Sequence, residues 1–369
     1  MRILITGGAG FIGSHLADAL LRRGHTVRAL DNLSPQVHGA GAVRPPYLAA
    51  DVELVRGDVR DADAVRRALR RIDAVYHFAA AVGVGQSMYE VDHYTSVNNH
   101  GTATLLQALI AQPVPRLIVA SSMSLYGEGL YRAPDGSHHA AAERPLDQLK
   151  AADWDVRNAA GEVLTPIPTP ETKAPSLSSV YALSKFDQER LCLLIGRAYG
   201  IPTVALRFFN VFGTRQSLSN PYTGVLAIFA SRLLNDRPPL IFEDGRQRRD
   251  FVSVADVAQA CVLALESPAA AGRAFNVGSG ESHSIGEVAR MLAAILGKPI
   301  EPEICGKYRV GDIRHCFADI GEARRALGYS PRVSLEEGLV DLAGWLQDQA
   351  AEDRVADASR ELAARGLTG

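Results

Sequence analysis

The amino-acid sequence predicts an α/β protein with a doubly wound parallel sheet and a smaller C-terminal region. Three observations support this prediction. Short apolar runs alternate with segments of helical periodicity over the first 209 residues, a glycine-rich turn follows the first run, and an aspartate follows the second. Such alternation is typical of a parallel sheet whose two faces are both covered by helices.

The predicted strands are short runs bounded by Gly or Asp, at residues 3–6, 26–30, 52–55, 74–78, 116–120 and 203–207. Helical periodicity predicts helices at residues 14–23, 62–70, 102–111, from about 180, and at 224–235, 254–265, 284–296 and 335–349. Because the strand pattern loosens from about Asn210, we expect residues 1–209 to form the sheet domain and 210–349 to close over the strand ends. Residues 350–369 form a charged, Ala-rich tail, for which we expect a peripheral helix or disorder.

One long segment interrupts the alternation. Fifty-three residues separate Gly127 from Tyr181. Within this segment, positions from about 130 to 178 form an insertion rich in Pro, Ala and charged residues. A loop of this length is uncommon in a compact domain and often has a function, so we expect either a lid over a substrate or a surface excursion. His138 and His139 are adjacent but have no further ligand at metal-binding spacing, so no metal site is expected.

Composition and charge restrict the possible partners. The chain of 369 residues carries 39 Lys and Arg against 41 Asp and Glu, which gives no overall field that would attract nucleic acid or an anionic membrane. Four cysteines without a CxxC pair favour a reducing compartment. No apolar run reaches the roughly 18 to 20 residues of a membrane helix. We therefore expect a cytoplasmic protein with neither nucleic acid nor membrane as a partner.

A glycine-rich turn joins the first predicted strand to the first predicted helix. Its pattern Gly8-x-Gly10-x-x-Gly13 becomes specific in this strand-turn-helix context, where it predicts a dinucleotide site. The first glycine permits the tight turn, the second lets the backbone approach a pyrophosphate, and the third lets the helix pack closely on the strand. Amides at the helix N-terminus attract the phosphates. The residues predicted to bind the cofactor here are Gly7, Gly10, Phe11, Ile12 and Gly13.

Acidic residues after the second and third strands extend the predicted cofactor site. Asp31 lies 18 residues past Gly13, where a carboxylate accepts hydrogen bonds from both hydroxyls of an adenosine ribose. A 2'-phosphate would be repelled there, and Asn32 rather than an arginine follows, so NAD is favoured over NADP. Asp58 and Val59 are placed to contact the adenine, although helix capping explains Asp58 equally well.

A tyrosine and a lysine near the start of a predicted helix indicate the chemistry. Tyr181 and Lys185 are four residues apart, so both lie on one helix face, about 5 to 6 Å from each other. A tyrosine titrates near about 10 and is a poor base at neutral pH unless a nearby cation stabilises its phenolate. Lys185 supplies that cation. Together with the glycine turn, the pair predicts a redox enzyme; alone, a surface Tyr and Lys would be the simpler interpretation.

The order of these motifs resembles that of the extended short-chain dehydrogenase/reductases, and more narrowly their nucleotide-sugar epimerase and dehydratase branch. The resemblance extends from Met1 to about Gln349. It implies an NAD-binding Rossmann domain over residues 1–209 and a mainly substrate-binding region over 210–349. The residues that carry it are Thr6 to Gly13, Asp31, Asp58-Val59, His77-Phe78-Ala79-Ala80, Asn98 before Gly101-Thr102, Ser121-Ser122 before Tyr126-Gly127, Tyr181-x-x-x-Lys185 and Arg207-Phe208-Phe209-Asn210.

The resemblance implies a role for each motif residue. Tyr181 would remove a proton from a sugar hydroxyl while the adjacent carbon passes hydride to the nicotinamide. Lys185 would lower the phenol pKa and hold the nicotinamide ribose, and Ser122 would hydrogen-bond the reacting oxygen. The cofactor would also contact Ala79, Ala80 and Asn98. The substrate, a nucleotide-diphosphate sugar, would contact Ser122, Ser124, Asn210, Arg249, Arg309 and Asp312, the two arginines clamping its phosphates. The family further implies a homodimer formed through two helices of each subunit.

Two outcomes of one keto-sugar intermediate have to be separated. Dehydratases of the resembled family carry Asp-Glu directly after the catalytic Ser or Thr. Met123 and Ser124 stand there in this chain, and neither can act as the general acid or base of an elimination. Epimerisation needs only Tyr181 to exchange one proton, so we expect a 4-epimerase in which NAD is regenerated each cycle and stays bound.

The identity of the sugar is a finer expectation. Residues 168–171, 219–229 and 311–319 resemble dTDP-L-rhamnose 4-epimerases, which implies conversion of dTDP-L-rhamnose to dTDP-6-deoxy-L-talose. UDP-glucose and UDP-glucuronate 4-epimerases share the scaffold and stay open as alternatives, followed by a nucleotide-sugar 4,6-dehydratase. An NAD-binding regulatory module without turnover also stays open, because a fold does not fix a function.

Overall fold

The computed structural model describes residues 1–140, 143–349 and 351–369. Its centre is a seven-stranded sheet in which all neighbouring strands are parallel. The strands are β1 (Arg2–Thr6), β2 (Thr26–Asp31), β3 (Glu53–Arg56), β4 (Ala74–His77), β5 (Arg116–Ser122), β6 (Thr203–Phe208) and β7 (Arg273–Val277). Their spatial order is β7-β6-β5-β4-β1-β2-β3, so the winding reverses beside β1, where such folds bind nucleotides. The predicted doubly wound Rossmann fold is confirmed.

Helices cover both faces of this sheet and form much of the C-terminal region. The longer ones are α1 (Phe11–Arg22), α2 (Ala62–Ala68), α3 (Gly101–Ala111), α4 (Val180–Ala198), α5 (Val225–Leu234), α6 (Val254–Glu266), α7 (Ile285–Ile295), α8 (Gly321–Leu327), α9 (Leu335–Leu346) and α10 (Val355–Ala364). Short helical turns lie at Pro35–His38, Val84–Ser87, Val91–Tyr94, Met123–Tyr126, Leu146–Lys150 and Pro268–Ala270, and a π-helix at Thr95–His100 leads into α3. Within the described ranges, no helix is long and apolar enough to cross a bilayer.

The sheet separates two hydrophobic cores because successive strand residues face opposite sides. Ile3 and Ile5 of β1 are fully buried in a cluster that includes Leu16 of α1 and Cys261 of α6. Leu4, between them in the chain, belongs to a second cluster with side chains of α2, α3 and α4. The strands are therefore held rigidly from both faces, and their C-terminal ends are free to carry a site.

The edge strand β7 comes from a part of the chain that we expected in the C-terminal region. It pairs with β6, and α6 packs against α1 on the face of the sheet. Sequence periodicity does not predict Arg273–Val277 as a strand because Arg and Asn interrupt its three apolar residues. In contrast, α5, α7 and α9 bury a third core of their own. The division at residue 209 stays a prediction.

Short strands organise the C-terminal region around the strand ends of the sheet. They pair as Asn210–Phe212 with Phe251–Ser253, Leu240–Ile241 with Glu303–Ile304, and Arg248–Arg249 with both His283–Ser284 and His315–Cys316. These pairs link segments far apart in the sequence, so periodicity alone gave no indication of them.

The insertion forms a small unit of its own. Three antiparallel strands, with Leu130–Arg132 between His138–Ala140 and Thr165–Ile167, enclose a core of four buried side chains: Tyr131, Ala133, Val156 and Leu164. Just after the last strand, the amide of Thr169 donates to the carbonyl of Phe317 at 2.8 Å. The insertion is thereby attached to the C-terminal region. Residues 141–142 of the predicted insertion lie outside the described residues.

The tail packs onto the protein through α10. Arg365, just after this helix, places its guanidinium 4.4 Å from the centre of the Tyr89 ring. Of the two expectations for residues 350–369, the helix is therefore the one found, while Ala350 itself lies outside the described residues.

Candidate active site

A cavity of about 430 Å³ opens at the C-terminal ends of β1, β2, β4 and β5. This edge of a doubly wound sheet is where such folds bind their ligands. Most of the predicted site residues line it: Gly7, Gly10, Phe11, Ile12, Gly13, Asp31, Asn32, Asp58, Val59, Ala79, Ala80, Ser122, Tyr181, Lys185 and Asn210. The structure thus brings the predicted cofactor motif and the predicted catalytic residues into one cavity.

The glycine turn forms the floor of this cavity. Gly7 has a φ of +70°, and a Cβ atom on it would lie 2.9 Å from the amide nitrogen of Ala79. A Cβ on Gly13 would clash with the carbonyl oxygen of Gly7. The first amides of a helix have no intrahelical partner, and no side chain caps α1 at Gly10. The amides at the start of α1 therefore stay free beside the cavity, which Gly10 and Gly13 line. Free backbone amides in a turn whose glycines leave room for close approach fit a pyrophosphate.

Asp31 closes the adenosine end of the cavity. Its carboxylate accepts hydrogen bonds from the amides of Ala9 at 3.0 Å and Leu33 at 2.9 Å, which fix its orientation. The side chain is 8% exposed, and His38 Nε2 lies 3.7 Å from Oδ1. A carboxylate held in this way beside the glycine turn fits the two hydroxyls of an NAD ribose.

Asp58 is fixed at the same end by its neighbours. The guanidinium of Arg60 donates two hydrogen bonds to it, at 2.9 and 2.8 Å, and the amide of Arg60 donates another at 2.9 Å. Asn32 Nδ2 donates a fourth at 3.1 Å. The Arg60 guanidinium holds the pKa of this carboxyl well below its usual range, against the opposing effect of burial. The helix-capping alternative for Asp58 is wrong, because Asp61 caps α2 by accepting from the amides of Asp63 and Ala64.

Ser122 and Tyr181 meet at the centre of the cavity. The Ser122 hydroxyl oxygen accepts hydrogen bonds from the amide of Ser124 at 3.2 Å and from its Oγ at 2.9 Å. A serine oxygen accepts two bonds and donates one, so its own proton is left for the phenol of Tyr181. Burial raises the pKa of Tyr181, and the hydrogen bond with Ser122 lowers it. Ser124 thus orients Ser122 and does not itself line the cavity.

Lys185 lies one turn further along α4 and is 3% exposed. Its Nζ donates to Gln188 Oε1 at 2.7 Å. Burial lowers the pKa of this amine to about 8. We expected Lys185 to lower the pKa of Tyr181. In the protein alone the pKa of Tyr181 is raised, because burial is the larger influence on the phenol, and the lowering by Lys185 stays a prediction. Desolvation disfavours the phenolate until further positive charge enters the cavity.

Asn98 acts from behind the cavity wall. Its Oδ1 accepts from the amide of Ala81 at 2.7 Å, and its Nδ2 donates to the carbonyl of Ala81 at 3.0 Å and to Ser184 Oγ at 2.9 Å. It is fully buried within the π-helix, and π-helical turns often occur at functional sites. Asn98 therefore holds the loop after β4 against α4 without lining the cavity.

The two predicted phosphate-binding arginines form a separate cluster with Asp312. Arg309 Nη2 lies 3.0 Å from Asp312 Oδ2, and Arg249 Nη2 lies 3.8 Å from Oδ1. Arg249 also donates to the carbonyls of Arg248 and Arg314, both at 3.0 Å. The structure brings these three residues together, yet none of them lines the cavity. Their contact with a substrate stays a prediction.

Some cavity residues were missed by sequence reasoning. Gln36 Nε2 donates to Gln86 Oε1 at 2.9 Å and to Asn220 Oδ1 at 3.2 Å. All three residues line the cavity and join the loops after β2 and β4 to the C-terminal region. They are 50 and 184 residues apart along the chain, so no spacing in the sequence indicates their contact. No described residue of the insertion lines this cavity; the lid over a substrate and the surface excursion both stay predictions.

Comparisons with known proteins agree with this site. The sequence profile of the NAD dependent epimerase/dehydratase family matches residues 3–151 and 158–278. The chain belongs to this family. It is 39% identical to a dTDP-L-rhamnose 4-epimerase of Burkholderia thailandensis over 94% of this chain and 95% of that protein. The predicted family, the NAD cofactor and the assignment as an NAD-dependent nucleotide-sugar epimerase are confirmed at this level.

Solved structures of other epimerases share the fold of this family member. A UDP-glucose 4-epimerase of Thermotoga maritima with UDP-glucose is 32% identical, with a TM-score of 0.77 over 94% of this chain and 99% of that one. A UDP-glucuronic acid 4-epimerase of Bacillus cereus, in complex with UDP-glucuronic acid and NAD, is 30% identical, with a TM-score of 0.76 over 94% and 99%. In the part of this chain that the structure describes, no three His, Cys, Asp or Glu side chains are grouped to hold a metal; that no metal takes part stays a prediction.

Proposed function

We propose that this epimerase interconverts dTDP-L-rhamnose and dTDP-6-deoxy-L-talose with tightly bound NAD. The observation that carries the proposal is the meeting of Ser122, Tyr181 and Lys185 in the cavity that holds the glycine turn and Asp31. Proton transfer and cofactor binding are thereby available at one place, which argues against an NAD-binding module without turnover.

Each residue in this site has a proposed task. Tyr181 takes the proton of the sugar hydroxyl at C4 as that carbon is oxidised, and returns it after the keto sugar has turned over. Ser122, its oxygen saturated by Ser124, directs its single proton towards the reacting oxygens. Lys185 donates to the nicotinamide ribose and adds positive charge beside the phenolate. Bound NAD supplies the hydride acceptor and donor.

Epimerisation is favoured over dehydration by the residues that follow Ser122. Met123 is buried and has no titratable group, and Ser124 is occupied with Ser122. Neither serves as the acid or base that elimination of water needs. A nucleotide-sugar 4,6-dehydratase is therefore the weaker alternative.

The choice of sugar rests on the similarity to the Burkholderia thailandensis enzyme, which is greater than that to the UDP-glucose and UDP-glucuronate epimerases reported above. Those two sugars remain the second candidates, since their enzymes share most of the chain's length and fold. The diphosphate of either donor is proposed to bind Arg249 and Arg309, with Asp312 and Asn210 beside it.

A homodimer through two helices of each subunit, α4 being one of them, is also part of the proposal. Leu183 and Leu194 on α4 are 45% and 43% exposed, and large apolar side chains on one helix favour a covered face. Sedimentation of the wild type and of Leu194→Glu tests it: a dimer that becomes a monomer supports the proposal, and a monomeric wild type contradicts it. A cytoplasmic location is proposed from the cysteine content of the sequence alone.

The substrate is tested by incubating the purified protein with dTDP-L-rhamnose, UDP-glucose and UDP-glucuronate in parallel. Proton NMR of the products and absorbance at 340 nm are followed together. Conversion of dTDP-L-rhamnose to its C4 epimer, without net NADH, is the expected result. Turnover of only the UDP-sugars would replace the proposed sugar, and net NADH would indicate a dehydrogenase instead.

A further inference from the structure

Lys185 is held by an uncharged side chain. Gln188 is fully buried, and its Oε1 accepts from Lys185 Nζ at 2.7 Å while its Nε2 donates to Thr102 Oγ1 at 2.9 Å. An ammonium or amine nitrogen bonded to the protein in this way keeps further N–H donors. Because Lys185 lines the cavity, those donors are available to a ligand there.

The orientation of the Gln188 amide is fixed by the hydrogen bonds behind it. Thr6 Oγ1 accepts from the amides that follow β4, at 3.2 and 3.1 Å, so its own proton goes to His77 Nδ1 at 2.8 Å. His77 is neutral, since burial lowers its pKa to about 3; its proton is therefore on Nε2 and is donated to Thr102 Oγ1 at 2.8 Å.

The chain of donors ends at Thr102. Its hydroxyl donates to the carbonyl of Asn98 at 2.5 Å, and its oxygen accepts from His77 and from Gln188. Because Thr102 has no proton left for Gln188, the Gln188 amide has to present its nitrogen to Thr102 and its oxygen to Lys185. The same nitrogen also lies 3.5 Å from the carbonyl of Ala79 and 3.3 Å from His77 Nε2. Networks in which every member is satisfied keep one arrangement.

Other charged groups near Lys185 are already neutralised. Glu189, a carboxylate whose charge acts on Lys185, is bound by Arg207 through two hydrogen bonds, at 2.9 and 2.6 Å, and by Ser121 Oγ at 2.6 Å. Burial raises the pKa of the Cys192 thiol to about 12, so it carries no charge at neutral pH. With Tyr181 on the cavity side and neutral His77 behind, Gln188 is the polar group that fixes the amine without cancelling its charge.

We propose that Gln188 is a positioning residue for Lys185: it aims the amine at the nicotinamide side of the cavity and keeps it free of a carboxylate partner. A carboxylate at this place would neutralise the cation that Tyr181 needs. The effect of Gln188 on Tyr181 rests on the proposed function. Its positioning of Lys185 for binding NAD does not.

Two variants of Gln188 separate these roles. In Gln188→Leu the amine loses its anchor, so bound NAD should exchange with isotope-labelled NAD about tenfold faster or more, as expected for loss of one hydrogen bond to a charged group. Gln188→Glu keeps the shape of the side chain and an oxygen for Lys185, loses the hydrogen bond donated to Thr102, and places a carboxylate beside the Lys185 amine. NAD should stay bound, and the acidic limb of the epimerisation rate should move about one pH unit higher, because the phenolate of Tyr181 loses its cation.

Arg190→Gln is the matched control. Arg190 is exposed on the same helix, and its replacement changes the net charge by the same amount as Gln188→Glu. It should keep the wild-type exchange rate and pH profile. Circular dichroism verifies that each variant is folded. Wild-type NAD exchange in Gln188→Leu would overturn the proposal even if no sugar substrate were found, and an unshifted pH profile in Gln188→Glu would overturn its electrostatic part.

Discussion

Arg144 Nη2 lies 2.8 Å from Glu243 Oε1, and the two side chains are 3% and 1% exposed. Arg314 binds the other oxygen of Glu243 at 3.0 Å, and Glu128 accepts the amide of Arg314 at 2.7 Å. Charges buried in this way are tolerated when they are paired with one another, because each has lost its hydration. Arg144 belongs to the insertion, and Arg314, whose carbonyl accepts a hydrogen bond from Arg249, belongs to the C-terminal region. The shared Glu243 therefore connects the insertion to the C-terminal region and stabilises their contact.

Breaking this network should destabilise the fold. Arg144→Met leaves Glu243 and Glu128 short of a buried partner, and we expect the free energy of unfolding in urea to fall by about 3 to 5 kcal/mol. The control is Arg157→Met, which removes an exposed pair with Asp153 in the same insertion and should cost less than about 1 kcal/mol. Equal losses in the two variants would contradict a special role for the buried pair.

Asp31 should decide between the two dinucleotides. Asp31→Asn keeps an oxygen for only one of the amides of Ala9 and Leu33, which donate to different oxygens of Asp31, and it removes the charge that repels a 2'-phosphate. We expect weaker NAD binding. The ratio of the affinities for NAD and NADP should fall by tenfold or more, the size expected for the loss of hydrogen bonds to a charged group. Calorimetric titration with both cofactors measures this. Asp51→Asn, an exposed carboxylate, serves as the control, and an unchanged preference in Asp31→Asn would refute the assigned contact.

Ser122 should set the pH dependence of the reaction. Its hydrogen bond lowers the pKa of Tyr181, so Ser122→Ala should raise that pKa and move the acidic limb of log kcat to higher pH. The loss of rate is then larger at pH 6 than at pH 9. Ser124→Ala removes one of the two bonds that orient Ser122 and should shift the limb in the same direction by less. A loss of rate that is uniform with pH would contradict this role.

The parts that sequence reasoning predicted well are local. Six strands, the glycine turn and the Tyr181–Lys185 pair each lie within a contiguous segment, where periodicity and spacing determine which side chains share a face. Gln188 was within reach of the same reasoning, since it is three residues from Lys185 on one helix. Its importance becomes visible only with Thr102 and His77, which come from other elements.

The parts that were missed depend on long-range pairing. Arg144 and Glu243 are 99 residues apart, and Gln36 meets Asn220 across 184 residues. The pKa of Tyr181 was expected to be low because the distance to Lys185 was considered and burial was not. Desolvation depends on the whole packed structure, so the sequence could supply the charge but not its environment.

The most direct test of the account is the product analysis of Tyr181→Phe. The variant lacks only the phenolic oxygen, so it should keep its NAD, measured by extraction from the purified protein. With dTDP-L-rhamnose it should form no C4 epimer detectable by NMR, under conditions in which the wild type reaches equilibrium. Epimer formation by Tyr181→Phe at a rate near that of the wild type would contradict the proposed chemistry.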